Sequence, residues 1–371
     1  MQKNNKNIPQ VSFVVPCHKL AHLLPECINS ILLQTYEDFE ILIMDDCSPD
    51  NTPEVAGSFK DPRVRHIRND QNLGHLHNYN KGIELSRGKY IWLISADDRL
   101  REPYLLERYV RVMDDNPAVG YACCPAIKLE KGIETTIEKR LVREDRIFKG
   151  KEFLIWLLKD NCVIAASGMV RRTCYEKCGT FPVDLPYAGD WFLWCLFALH
   201  YDVAYFAEPM VNYRAHESSM TNYLMNSCSA LALREGFTVL WRIRKHAQQI
   251  GDARIVERCM SHVAYLYGIH LAGGKFENWM YRISEEDFET SLGQEIISQE
   301  EKNWIRARAW AVAGDFSCIK QNFDDAREYY KRVSQYDRRM ISVRAKQFLF
   351  TNALVSGLAI KLFKLKSSVF R

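Results

Sequence analysis

Short, nearly continuous apolar runs alternate with stretches of helical periodicity through the N-terminal part of the chain. Residues 11–15 form a β-branched run stopped by Pro16. Residues 22–35 place Leu23, Leu24, Cys27, Ile28, Ile31 and Leu32 on one side of a helix. Residues 39–44 predict a strand that ends at Asp45 and Asp46, and residues 64–67 a third strand. A helix over 75–86 is framed by Gly74 and Gly88, and a strand over 89–94 follows. Runs that are apolar throughout are what strands buried on both faces require. Their alternation with helices predicts βαβ units and an α/β fold with a mainly parallel sheet.

The pattern continues less regularly. A helix is predicted from Pro103 to about residue 115, a strand over 119–123, and a charged loop or hairpin over 126–149. Residues 153–158 read as helix, 162–170 as strand, and 203–206 and 210–213 as short strands. The run DWFLWCLFALH at 190–200 is apolar all round, so that helix is expected to be buried on most sides. Near Thr221 the composition changes to helical patterning with few prolines, which predicts two domains, residues 1–221 and an all-α region, 222–371. Residues 310–333 carry the small-and-aromatic spacing of a helix–turn–helix repeat unit, although ordinary packing of a helix pair explains it equally well.

The candidate chemistry lies where strands end. KYIWLISADDRL, residues 89–100, is an apolar strand finishing in two adjacent carboxylates, Asp97 and Asp98. Open α/β sheets place ligands at the carboxyl ends of their strands. Neighbouring carboxylates repel unless a proton or cation intervenes, and a divalent metal carrying phosphates is an economical cation. A plain polar turn is the competing reading.

Composition narrows the classes. A 47% hydrophobic and 26% charged content is that of a globular protein, and a net charge of +4 without a basic stripe or zinc-finger spacing argues against nucleic acid as a partner. Twelve cysteines without a C-x-x-C read as buried thiols in a reducing compartment, with Cys174 and Cys178 the one local pair. The polar N-terminal residues carry no signal peptide and no run is long enough to span a membrane, so the expectation is a cytoplasmic protein. Residues 348–371 mix apolar positions with Lys361, Lys364, Lys366 and Arg371 and contain no acid. Such a segment suits a membrane surface, which would make the protein peripheral at the inner face, or it packs as a last helix.

Taken in order, the segments VVPCHK (14–19), LLQTYEDFE (32–40), MDDCSPDNT (44–52), residues 68–98, GMVRRTCYEKCGTFP (168–182), AGDWFLWCL (188–196) and VNYRAHESSMT (211–221) closely resemble family 2 glycosyltransferases of the GT-A fold. The resemblance covers roughly residues 9–221 and rests on the ordered set, no single motif being decisive. It implies a GT-A Rossmann-like sheet with helices on both faces. Pro16 and His18 would lie at the nucleotide base, with His18 where the family often stacks an aromatic ring. Asp46 would bond the base or ribose. Arg68, Asn72 and Gly74 would approach the nucleotide. Asp97 would be the metal ligand of the DXD motif, which reads Ser95-Ala96-Asp97-Asp98 here, so that Ser95 replaces the usual first aspartate. Asp190 would be the catalytic base, with Gly189 in place of the usual preceding acid; an N-cap is its structural alternative. Arg214 would contact the diphosphate, and His216 the metal.

The implied activity is an inverting, Mn²⁺- or Mg²⁺-dependent transfer of a sugar from a nucleotide-sugar, a UDP-sugar first, to a saccharide or lipid-linked acceptor in cell-surface polysaccharide or glycolipid synthesis. The Q-x-x-R-W motif of processive members is absent. Because Ser95 and Gly189 depart from the family pattern, a non-catalytic nucleotide-sugar-binding or helical adaptor protein is the alternative. A nucleotidyltransferase or an NAD-dependent dehydrogenase would want glycines after the first strand, and VVPCHKL has none. The helical region also offers a surface for oligomerisation.

Overall fold

The structure is a computed structural model that describes residues 8–216, 219, 229–273, 284–320 and 322–337. The basic C-terminal segment 348–371 lies outside the described residues. The chain divides into two compact units between Val239 and Leu240.

The first unit is built on an eight-stranded sheet. Strands β1 (Val11–Cys17), β2 (Phe39–Asp45), β3 (Val64–Arg68) and β4 (Tyr90–Leu93) are mutually parallel in the order β3-β2-β1-β4. The sheet continues through β10 (Met169–Arg171), which is antiparallel to both β4 and β6 (Val119–Cys123). β11 (Asp202–Tyr205) runs parallel to β6, and β9 (Arg146–Phe148) closes the edge antiparallel. The sheet is thus mainly parallel, as the alternation of elements requires.

Helices cover both faces. On one, Val11, Phe13, Val15, Ile41 and Ile43 join a core with α1 (Leu24–Leu32) and α4 (Leu105–Asp115). On the other, α3 (His75–Leu85) lies so close that a Cβ on Gly82 would stand 2.3 Å from Val14 Cγ1 and 3.1 Å from Met44 Cγ. Only glycine permits that approach.

A second, four-stranded sheet joins β5 (Arg99–Leu100), β12 (Val211–Ala215), β7 (Ala126–Glu130) and β8 (Ile133–Glu138) in that order. The charged excursion at 126–149 is therefore the β7–β8 hairpin followed by β9. The strand expected over 162–170 shrinks to β10, because residues 165–167 form a 3₁₀ turn before the sheet is reached. Two short helices, α2 (Thr52–Ser58) and α6 (Arg172–Cys178), carry too little periodicity to be read in advance. α5 (Gly150–Leu157) and α7 (Gly189–His200) complete the unit, and Phe192 to Leu199 of α7 are all buried. Cys17, Cys27, Cys123, Cys124 and Cys174 are buried free thiols.

The helix α8 (Ser229–Gln249) leads into the second unit, formed by α9 (Ala253–Leu271), α10 (Glu285–Gln294), α11 (Gln299–Ile319) and α12 (Phe323–Tyr336). Their starts follow from capping side chains: Asp252, Ser284, Ser298 and Asn322 each accept a backbone N–H, and Ser284–Asp287 and Ser298–Glu301 form reciprocal capping boxes. The segment with repeat-like spacing is the α11–α12 pair, whose core is Ala307, Trp310, Ala313, Ala326, Tyr330 and Val333. Among the described residues, no helix is long and apolar enough to cross a membrane.

Candidate active site

The ends of β1, β2 and β4 meet at one edge of the large sheet. Beyond β4 the chain stays alongside β1, with Ile94 N–H on Val14 O at 3.1 Å and Ala96 N–H on Pro16 O at 3.1 Å. This register carries Asp97 and Asp98 just past the sheet edge, where Asp98 N–H turns back onto Ser95 O at 3.0 Å. The end of β12 then fastens the turn. Arg214 N–H donates to Asp98 Oδ1 at 2.9 Å, Arg214 Nε to Asp97 O at 2.8 Å, and His216 Nε2 lies 2.9 Å from Asp97 Oδ2. The Arg214 guanidinium is also paired with Glu26 of α1. Burial, with the charge of Asp97 beside it, pushes the Asp98 carboxyl well above the usual carboxylate range.

Asp97 Oδ1 is buried and has no hydrogen-bond partner among the described residues. A buried carboxylate oxygen left unpaired is costly, and a cation is the natural completion. Among the described residues no group of three or more His, Cys, Asp and Glu is arranged to hold a metal. Asp97 and His216 are the residues that would hold a Mg²⁺- or Mn²⁺-type ion, with phosphate oxygens and water completing its coordination.

The β2 end is organised differently. Asp46 is 3% exposed, and both its oxygens are occupied. Oδ1 accepts from Asn69 Nδ2 at 2.9 Å and Leu73 N–H at 2.8 Å, and Oδ2 accepts from Gly74 N–H at 3.0 Å. The side chain therefore ties the 69–74 loop to the sheet, and Gly74, at φ 81°, turns that loop into α3. His18 bridges the same loop, with Nδ1 3.0 Å from Asp46 O and Nε2 3.4 Å from Asn72 Nδ2. His18, Asp46, Asn72 and Gly74 are thus brought together. Arg68 is held back from them: Nη1 donates to Asp45 Oδ2 at 2.6 Å and Nη2 to Ser48 O at 3.0 Å. Burial would raise the Asp45 carboxyl, but hydrogen bonds from Ser48, Arg68 and His66 outweigh it and hold the pKa below the usual range. Pro16 and Ala96 are buried, and Ala96 belongs to the apolar core, so its side chain does not face the sheet edge. Ser95 is half-buried.

Asp190 is the second residue of α7, not its N-cap; Ala188 occupies that position. Glu235 Oε2, from elsewhere in the unit, fixes the chain entering the helix, accepting from Tyr187 N–H at 2.8 Å and Ala188 N–H at 2.7 Å. Asp190 Oδ1 accepts from Trp191 N–H at 2.6 Å and Oδ2 from Asn161 Nδ2 at 3.1 Å. Burial pushes the Asp190 carboxyl up to about 6 despite these two hydrogen bonds. Desolvation here prevails over the helix N-terminus, which by itself would lower the pKa. A carboxylate so placed is suited to general base work near neutral pH. At Gly189 an added Cβ would meet only ordinary contacts, 3.6 Å from Phe181 and 3.7 Å from Leu76, so no steric demand explains the glycine.

Tyr79, Asn161 and Glu235 were not among the residues expected at the site. Tyr79 projects from α3, and Asp97, Asp190 and Asp98 all act electrostatically on its phenol. Asn161 and Glu235 reach α7 from sequence separations of 29 and 47 residues. No local motif marks such contacts.

The family described as glycosyl transferase family 2 matches residues 12–179. An uncharacterised glycosyltransferase of Rickettsia typhi is 27% identical over 247 residues, covering 64% of this chain and 72% of the relative. The succinoglycan biosynthesis protein ExoO of Rhizobium meliloti is 37% identical over 107 residues, 29% of this chain and 30% of ExoO. Among solved structures, residues 1–349 of S. aureus TarS in complex with UDP superimpose with a TM-score of 0.59 at 13% identity, covering 88% of this chain and 90% of TarS 1–349.

Proposed function

Residues 12–179 of this chain belong to glycosyl transferase family 2 and the fold is GT-A, and from that premise we propose that the protein is an inverting transferase moving a sugar from a UDP-sugar to an acceptor hydroxyl. One observation carries this reading. A strand-end carboxylate with a spare buried oxygen, Asp97, and a carboxylate raised to about 6, Asp190, both act on the phenol of Tyr79. Donor activation and acceptor deprotonation need such a pair of groups on opposite sides of one sugar.

Asp190 accepts the proton of the acceptor hydroxyl, and Asn161 and the Trp191 N–H hold its two oxygens in place meanwhile. The acceptor oxygen forms the new bond to the anomeric carbon as the bond to the diphosphate oxygen breaks, so configuration inverts and the nucleoside diphosphate leaves. Arg214, anchored on Glu26 and Asp97 O, directs positive charge toward the leaving group. Mn²⁺ or Mg²⁺ held by Asp97 and His216 would neutralise the diphosphate. Asp46, His18, Asn72 and Gly74 shape the wall of the nucleotide pocket, and Asp46 acts by fixing the loop.

TarS 1–349 has been solved with UDP and with UDP-GlcNAc, which makes a UDP-sugar the first donor to test. ExoO is a succinoglycan biosynthesis protein, which supports a surface polysaccharide or glycolipid as the acceptor class, handled in the cytoplasm. The domain division near residue 221, contact of residues 348–371 with a membrane surface, and self-association through the helical unit belong to the same proposal. The test is a screen of UDP- and GDP-sugars with Mn²⁺ by thermal shift, followed by transfer or hydrolysis assays on the best binder. Release of nucleoside diphosphate with an inverted product supports the reading. Binding without any transfer or hydrolysis replaces it with a nucleotide-sugar-binding protein.

A further inference from the structure

Tyr79 lies in the first turns of α3, after the loop that Asp46 anchors. Its ring is clamped on two sides, edge-on to His75 at 5.6 Å between centroids and to Phe181 at 5.5 Å. Both neighbours are themselves fixed. His75 Nε2 is 2.9 Å from Pro186 O, and Phe181 exchanges two hydrogen bonds with the Asn80 side chain, at 2.8 and 2.9 Å. Phe181 also lies against Gly189, the residue before Asp190. The phenol is therefore set rigidly beside the start of α7.

Its hydroxyl makes no hydrogen bond among the described residues. Tyr79 is half-buried and its oxygen is not among the buried side-chain atoms that lack a partner, so this firmly held O–H is open to a ligand. The groups whose charges bear on it are Asp97, Asp190 and Asp98. Together with burial they raise the phenol above its ordinary pKa, so it remains an O–H donor throughout the physiological range. In an in-line displacement the transferred sugar must lie between the group that holds the diphosphate and the base that deprotonates the acceptor.

We propose that the Tyr79 hydroxyl is a contact for the transferred sugar itself, donating a hydrogen bond to a sugar hydroxyl and leaving the nucleotide untouched. This rests on the transferase reading above and adds to it the residue that recognises the sugar. Tyr79 takes no part in the proton transfer and accepts no charge.

The experiment uses the full chain with Mn²⁺ and Tyr79→Phe, which removes one oxygen and keeps the ring. The probes are UDP-GlcNAc, UDP-galactose and GDP-mannose, whichever stabilises the wild type most, and its parent nucleoside diphosphate. Calorimetry should give an unchanged affinity for the nucleoside diphosphate and a nucleotide-sugar affinity weaker by about 3–10-fold, the scale of one neutral hydrogen bond. The melting temperature without ligand should not fall, because the hydroxyl has no partner to lose among the described residues. Equal nucleotide-sugar affinity in variant and wild type overturns the contact and leaves the transferase reading standing, as does an equal loss for both ligands. A wild type that binds none of these probes overturns the transferase reading and the contact with it.

Discussion

His216 Nε2 lies 2.9 Å from Asp97 Oδ2, while Oδ1 of the same carboxylate is buried without a partner among the described residues. The imidazole comes from the far end of β12, a sequence distance of 119 residues. The pair therefore exists only because β12 docks beside the turn that follows β4. One oxygen is oriented by the imidazole and the other is not, and this arrangement is where metal dependence should be tested.

Asp97→Asn should remove Mn²⁺-dependent enhancement of nucleotide binding while the fold persists. The amide can still bond His216, but it carries no charge to hold a cation. Calorimetric titration with UDP, with and without Mn²⁺, reads the effect. An undiminished Mn²⁺ enhancement would exclude Asp97 as a ligand.

Asp46→Ala should cost stability as well as binding. Three donors, from Asn69, Leu73 and Gly74, lose their acceptor in a buried position. Loss of such charge-assisted bonds is worth roughly 2–4 kcal/mol, so urea unfolding should move to markedly lower denaturant. Unchanged stability with weakened nucleotide binding would instead favour a direct contact to the ligand.

Asp190→Asn should keep nucleotide-sugar binding and slow transfer by about 10²-fold or more. In the wild type, transfer should fall as pH drops through about 6, where the Asp190 carboxyl takes up a proton. The linkage has a definite sign. Because the folded-state pKa is raised, this group's favourable contribution to stability is complete below the ordinary aspartate range. It is lost as pH rises through about 6. The asparagine variant should therefore gain stability relative to wild type on going from about pH 4 to about pH 8. Denaturant melts at both pH values measure this, and a pH-independent difference would show that Asp190 is not perturbed.

Gly82→Ala should destabilise the first unit by about 1–3 kcal/mol, since the new methyl group would press on Val14 and Met44 where α3 meets the sheet. Thermal melts report this directly. A neutral outcome would mean that α3 can move away from β1 at no cost.

The periodicity of residues 11–123 was enough to read the parallel sheet, because strands buried on both faces must be apolar along their length. β1, β2, β4 and β6 fall on such runs, whereas β3, VRHIR at the sheet edge, is only partly buried. It also located the acids at the strand ends, since Asp45, Asp46, Asp97 and Asp98 interrupt those runs abruptly. Local order could not reveal how the acids are used. Asp46 and Asp45 sit side by side, yet one braces the 69–74 loop and the other is tied to Arg68 and His66. Successive residues leave a strand in opposite directions, so their partners come from different neighbours. The raised carboxyl of Asp190 is likewise a property of packing. Its helix start, read alone, would lower the pKa, and only the buried surroundings reverse the sign. Tyr79, Asn161 and Glu235 carry no sequence signal at all, because each reaches the site across a distance that only the folded chain closes.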